Sequence, residues 1–278
     1  MSFADMFSDP LIREVVFRAL TVGALVSLCA AVLGVSLVLR RYSMIGDGLS
    51  HVGFFALSVA AAFGVSTTNS LEISIPIVML AAFLLMKLTE SGLMKGDAAT
   101  AVVSTGAVAV GVVIFTFAQG SMTSDICNSL FGSASVVTLT DKDLIISIIM
   151  SVLVIALYLI FYRLVFSVTF DEGFAKASGA PVSFCNLLIS MLTAVVIVVG
   201  MKLIGSIMIS ALVVFPALTA MRLAGSFRKV ICIAGAVSVI CFAVGFFAGC
   251  LLGLPTGPCV IIVNMAVYAV SAVVRKKG

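Results

Sequence analysis

Of the 278 residues, 62% are hydrophobic and 10% charged, with 16 lysines and arginines against 12 acidic residues for a formal charge of +4. A soluble domain carries roughly a quarter charged residues, so this chain cannot cover an aqueous surface with polar groups; the composition excludes a soluble globular protein and makes lipid the solvent. A spanning helix takes roughly 20 apolar residues, which gives room for about eight to ten spans in one transmembrane domain over residues 1–278.

The first fourteen residues hold Asp5 and Asp9 where a secretory signal would carry a basic region, so the first span is expected to be retained. Apolar runs cover 16–39, 47–64, 73–88, 98–118, 143–163, 183–200, 203–221, 230–251 and 257–274, and predict an all-α, polytopic protein with nine transmembrane helices. The junction between the sixth and seventh runs holds only Gly200, Met201 and Lys202, and can also be read as a kink within one long element, leaving eight.

Lysine and arginine are enriched in cytoplasmic loops. Nine alternating spans from an outside N-terminus place Arg40, Arg41, Lys87, Lys95, Arg163, Lys176, Arg222, Arg228, Lys229, Arg275, Lys276 and Lys277 inside. Only Arg13, Arg18, Lys142 and Lys202 fall outside, 4 of the 16. An even count would force one half of the chain into the wrong bias, so the expected topology is N-terminus outside and C-terminus cytoplasmic.

The second span opens Gly46-Asp47-Gly48-Leu49-Ser50-His51 and contains the one histidine of the chain. Residues four apart share a helix face, so Asp47 and His51 can point at a single cation. An aspartate at the bilayer centre costs roughly 2.5–3.5 kcal/mol on insertion scales, which favours an internal role. The same spacing also fits a simpler arrangement, in which Asp47 caps the cytoplasmic end of the span and His51 is interfacial. If the pair binds metal, carboxylate plus imidazole suits zinc, manganese or ferrous iron. Two ligands are too few for a closed site, whereas a two-fold dimer would supply four, enough for tetrahedral zinc.

Two connections are long. The external one, from Gln119 to Asp143, contains Leu130-Phe131-Gly132-Ser133 and a Thr-Asp-Lys-Asp turn at 140–143 that can cap the next helix. The internal one spans about 167–183. There Asp171 and Glu172 favour a helix start, Ala175, Lys176 and Ala177 continue it, and Gly179 with Pro181 stops it, predicting two helical turns on the cytoplasmic face. Further on, Pro216 implies a kink in the seventh span and Leu254-Pro255-Thr256-Gly257-Pro258 an external turn into the last.

The seven cysteines include no C-x-x-C pair, and the four spaced by nine residues turn by about 900° per pair onto alternating faces, so free thiols are expected. The thirteen methionines form no repeated Met-x-x-Met array and read as core packing. No G-x-x-x-x-G-K-[ST] phosphate loop occurs, so ATP-driven work requires a separate subunit; the internal loop helix is the natural dock, although by pattern alone such a short helix is more often only a connection. A proton-coupled secondary metal transporter is the alternative class, since aspartate and histidine both take protons. An intramembrane hydrolase would need a second cluster such as His-Glu-x-x-His, which the chain lacks.

The stretch Arg40-Arg41-Tyr42-Ser43-Met44-Ile45-Gly46-Asp47-Gly48-Leu49-Ser50-His51 resembles the signature of the membrane permeases of metal-type ABC importers, which take up zinc, manganese or iron. The similarity continues through Leu130-Phe131-Gly132-Ser133, the Gly205-to-Arg222 stretch with Ser210-Ala211-Leu212 and Pro216-Ala217-Leu218-Thr219-Ala220, and Leu254-Pro255-Thr256-Gly257-Pro258. The resemblance implies a vitamin-importer-like (type II) permease fold in a bacterial cell membrane, working as a homodimer. It implies a cytoplasmic ABC ATPase dimer docked through Asp171, Glu172, Ala175 and Gly179, an extracellular or periplasmic metal-binding protein, and no nucleic-acid partner. It implies Asp47 and His51 as pathway ligands for a transported divalent cation, with no permanent cofactor. Gly48, followed by Val52-Gly53-Phe54, is more similar to zinc-type members than to manganese-type ones. The chain departs from the family pattern at Gly173, which costs the loop helix roughly 1 kcal/mol relative to alanine.

Overall fold

The computed structural model describes residues 10–40, 42–64, 70–90, 96–119 and 141–275. Each of the nine predicted runs is helical: α1 (Pro10–Leu39), α2 (Ile45–Ala62), α3 (Ser70–Glu90), α4 (Gly96–Gln119), α5 (Asp141–Ile160), α8 (Val182–Ile204), α9 (Ser206–Leu223), α10 (Phe227–Leu252) and α11 (Thr256–Arg275). Two short helices, α6 (Tyr162–Phe170) and α7 (Glu172–Ala177), lie between α5 and α8. No strand occurs among the described residues. The motif at 130–133 and the expected capping turn up to Thr140 lie outside them.

Seven helices, α1, α2, α4 and α8 to α11, are each long and apolar enough to cross a bilayer. The apolar part of α3 is shorter, Ile73–Thr89. The predicted fifth span, 143–163, ends within three residues of a bend: Leu144–Ile160 and Tyr162–Phe170 meet at 68°. The bend leaves the backbone satisfied, because Phe161 N–H donates to the Leu157 carbonyl (3.0 Å) and Val165 N–H to the Phe161 carbonyl (2.9 Å). What holds α6 aside is packing. Val165 and Val168 are buried, while the Phe166 and Phe170 rings lie 5.4 and 5.6 Å from the Phe227 ring at the start of α10.

The sixth and seventh predicted runs are separate helices, but the break is at Gly205, beyond the 200–202 junction. Gly205 adopts φ +97° and ψ 150°, a region essentially reserved for glycine, and its N–H still bonds the Met201 carbonyl (3.0 Å). The helix therefore continues through Lys202 to Ile204, because nothing before Gly205 opposes it. α9 runs on through Pro216.

Contacts between termini show how the helices alternate. Arg40 after α1 reaches Glu172 at the start of α7, the end of α6 packs on the start of α10, and Arg222 near the end of α9 donates to Tyr268 Oη in α11 (2.9 Å). Tyr42, before α2, packs against Gly96 at the start of α4. The ends assigned inside by charge thus gather at one end of the bundle.

Of the seven spanning helices, α1 and α8 are the most enclosed and α4 and α11 the least. Large apolar side chains project outward, including Val110 and Phe117 on α4 and Ile262 and Val270 on α11, as helices facing lipid require. Several buried hydroxyls are satisfied locally, as where Thr193 Oγ1 donates to the Ile189 carbonyl (2.7 Å). Others bridge helices: Ser36 and Tyr158 hydroxyls meet at 2.8 Å, and Ser238 Oγ donates to the Ser27 carbonyl (2.9 Å), fastening α1 to α5 and α10. The six cysteines among the described residues are free, as expected.

Candidate metal centre

The turn from α1 into α2 is tight. Tyr42 N–H donates to the Leu37 carbonyl (2.9 Å) and Ile45 N–H to the Tyr42 carbonyl (3.2 Å), so α2 starts at once. Its N-cap position is Met44, with no side-chain cap, and Asp47 lies inside the first turn. The capping alternative for Asp47 is therefore not realised. Its carboxylate turns along the helix instead, and Asp47 Oδ2 lies 3.6 Å from His51 Nε2.

That distance exceeds a hydrogen bond. It lies within ion-pair range for a protonated His51, and it is also close to the roughly 3.4 Å that separates nitrogen and oxygen donors at about 2.0–2.1 Å from a tetrahedral zinc. The His51 side chain is 34% exposed and that of Asp47 50%, so the chain's own helices leave the pair half open. The exposure is patterned: Asp47, His51, Phe55 and Val59, spaced by four, are all partly covered, while Gly48, Leu49, Val52 and Ala56 are buried. No third histidine, cysteine, aspartate or glutamate completes a metal site among the described residues. One turn past His51 the chemistry becomes apolar, where Phe55 and Val52 line a cleft of about 300 Å³ with Ile77 and Leu84 of α3 and Val103 and Val110 of α4.

The covered side of α2 explains Gly48. A Cβ on Gly48 would lie 2.3 Å from Thr100 Cγ2 of α4, so the residue after Asp47 is small because α4 approaches it directly. Thr100 is fixed by its own hydroxyl, which donates to the Gly96 carbonyl (2.8 Å).

The loop residues picked from sequence form one compact unit away from the pair. Asp171 Oδ1 accepts from Phe174 N–H (2.8 Å) and caps α7, which begins at Glu172. This cap offsets the poor propensity of Gly173, since an N-cap carboxylate contributes about 1 kcal/mol. Ala175 is buried beneath the helix, and Gly179 at φ +80° ends it as Ala180 N–H reaches back to the Ala175 carbonyl (2.9 Å). Phe174 is left exposed. A link that the sequence did not reveal joins this unit to the α1–α2 turn: Arg40 contacts both Glu172 and Asn186. Asn186, a lone amide inside an apolar run, was the only hint of it.

The sequence model of the ABC 3 transport family matches residues 13–275. The chain belongs to the ABC 3 transport family. It is 27% identical over 258 residues to the high-affinity zinc uptake system membrane protein ZnuB of Buchnera aphidicola, covering 93% of this chain and 97% of that protein. It is also 27% identical over 272 residues to the manganese transport system membrane protein MntC of Halalkalibacterium halodurans, covering 98% and 91%. Among solved structures, a chain of PsaBC from Streptococcus pneumoniae in complex with Fab superposes with a TM-score of 0.81 at 25% identity, covering 96% of this chain and 93% of that one. The resemblance to membrane permeases of metal-type ABC importers therefore extends over nearly the whole ABC 3 chain, in sequence and in fold.

Proposed function

We propose that this chain is the membrane permease subunit of an ATP-driven divalent-metal importer, with zinc favoured over manganese or iron. Two protomers bring their Asp47–His51 pairs together into a transient four-ligand site. The observation that carries this reading is the 3.6 Å approach of Asp47 Oδ2 and His51 Nε2 on the half-open face of α2. Two donors bind a dehydrated ion weakly, and transport needs binding weak enough to release. A second protomer would complete the shell, and its departure would dismantle it.

In this cycle an external metal-binding protein delivers the ion, and a pair of cytoplasmic ATPases docks on α7 through the surface around Glu172 and Gly179. ATP-driven closure of the ATPases switches which side the site faces. The N-terminus lies outside and the C-terminus in the cytoplasm. The gathering at one bundle end of the termini assigned inside by charge supports this orientation, and the chain's similarity to zinc and manganese transport proteins supports the metal class.

The test is the metal content of cells lacking the chain, compared element by element. A selective fall in zinc, restored by wild-type chain and not by His51→Ala, is expected. Unchanged metal content, or uptake that survives loss of every ATPase and collapses with the proton gradient, would overturn the proposal.

A further inference from the structure

We propose that Arg40 is a positioning residue that transmits movement of the cytoplasmic α7 helix to the helix carrying Asp47 and His51. The inference rests on the docking of ATPases on α7 argued above. It goes further by naming the group that connects dock and site.

The geometry is that of a node at the edge of the bundle, with Arg40 nearly covered and Glu172 about half exposed. The Arg40 side chain is 9% exposed, and its guanidinium donates to Asn186 Oδ1 and, at 3.5 Å, to Glu172 Oε2. Asn186 Nδ2 in turn donates to Glu172 Oε1 at 3.5 Å, closing a triangle between the end of α1, the start of α7 and the first turns of α8. Arg40 also lies 5.8 Å from the centre of the Tyr42 ring, within cation–π range. The Tyr42 ring packs on Gly96, and its backbone carries both hydrogen bonds that shape the α1–α2 turn. Asp47 follows Tyr42 by five residues.

Three features suit this node to transmit movement as well as to hold. Glu172 is the first residue of α7, so any tilt of the short helix about buried Ala175 moves its carboxylate. A nearly buried guanidinium is costly to leave without its anion, so Arg40 must follow Glu172 or lose it. Space is also available, since a cavity of about 30 Å³ lies beside Arg40, bordered by Tyr42, Thr89, Thr100, Asn186 and Ser190. Thr100 is the residue packed against Gly48, the neighbour of Asp47.

The experiment uses the whole complex in proteoliposomes, with its cognate ATPase and metal-binding protein, and reads zinc ions transported per ATP hydrolysed together with the amount of ATPase bound. Arg40→Ala and Glu172→Gln are each expected to lower that ratio by roughly tenfold, a typical coupling between distant sites. The double variant should be no worse than either single one, and Arg40→Lys should restore part of the ratio. A purely structural role predicts loss of assembled complex with an unchanged ratio in what remains, and that outcome would overturn the proposal, as would additive effects in the double variant. If Arg40→Ala does not assemble, Arg40→Lys and Glu172→Gln decide, with wild-type ratios in both overturning the inference. Unchanged ratios beside an active wild type would leave the transport function intact; a wild type that moves no zinc on ATP would remove both.

Discussion

His51 Nε2 and Asp47 Oδ2 approach to 3.6 Å on consecutive turns of α2, with the rest of the chain leaving both side chains partly open. On the function proposed above, one helix presents two donors to one ion and a second protomer completes the site. Replacing either donor leaves one ligand per protomer. His51→Ala and Asp47→Ala are expected to reduce zinc uptake to that of cells lacking the chain, while membrane insertion and dimer size remain normal. Uptake retained in both variants would remove the assignment.

Gly48 is a packing requirement of the same turn. With Thr100 Cγ2 only 2.3 Å from where a Cβ would stand, Gly48→Ala should cost about 1–3 kcal/mol through overpacking. The measurement is thermal unfolding of the purified protein in detergent. Thr100→Ser, which deletes the offending methyl, should return part of the lost stability when combined with Gly48→Ala. A second substitution without that recovery would mean that the α2–α4 contact is looser than described.

At Gly205 the limit is backbone conformation. Its φ of +97° and ψ of 150° suit no side-chain-bearing residue, so Gly205→Ala is expected to destabilise by about 1–3 kcal/mol. Gly225, where an added Cβ meets nothing within 4 Å and φ is not positive, serves as a control: Gly225→Ala should leave the unfolding temperature nearly unchanged.

The α7 cap can be tested without touching the transport site. Asp171→Ala removes the acceptor for Phe174 N–H and should cost about 1 kcal/mol locally. Faster hydrogen exchange confined to residues 172–177 and weaker co-purification of the ATPase are expected, while Asp171→Asn, which can still cap, should behave close to wild type. Equal ATPase recovery from all three proteins would argue against α7 as the dock.

A reporter fused after Arg275 should be accessible only from the cytoplasm. An external signal would refute the proposed orientation, in which the end of the bundle that holds Arg40, Glu172 and the starts of α4 and α10 faces the cytoplasm.

Much of this was legible in the sequence because membranes impose simple constraints. Apolar runs must be helical, since every backbone group in lipid has to be bonded within its own segment. The α7 helix could likewise be read from Asp171 to Gly179, because caps and stops are local chemistry. Two boundaries were not legible. The 143–163 run matches α5 to within three residues, but nothing in the sequence shows that the following residues start a second helix, α6, that swings away to pack on Phe227. The break at Gly205 depends on a positive φ that a glycine permits but does not announce.

The sequence by itself determined that the chain spans a membrane, which ends share a side, and that Asp47 and His51 fall on one helix face, because hydropathy, charge bias and the helical period act over a few residues. The tertiary structure decided that Asp47 faces His51 rather than capping α2, that Thr100 sets the size of residue 48, and that Arg40 meets Glu172. Those outcomes depend on which helices pack together, and contacts between residues 132 apart leave no periodic trace in either segment.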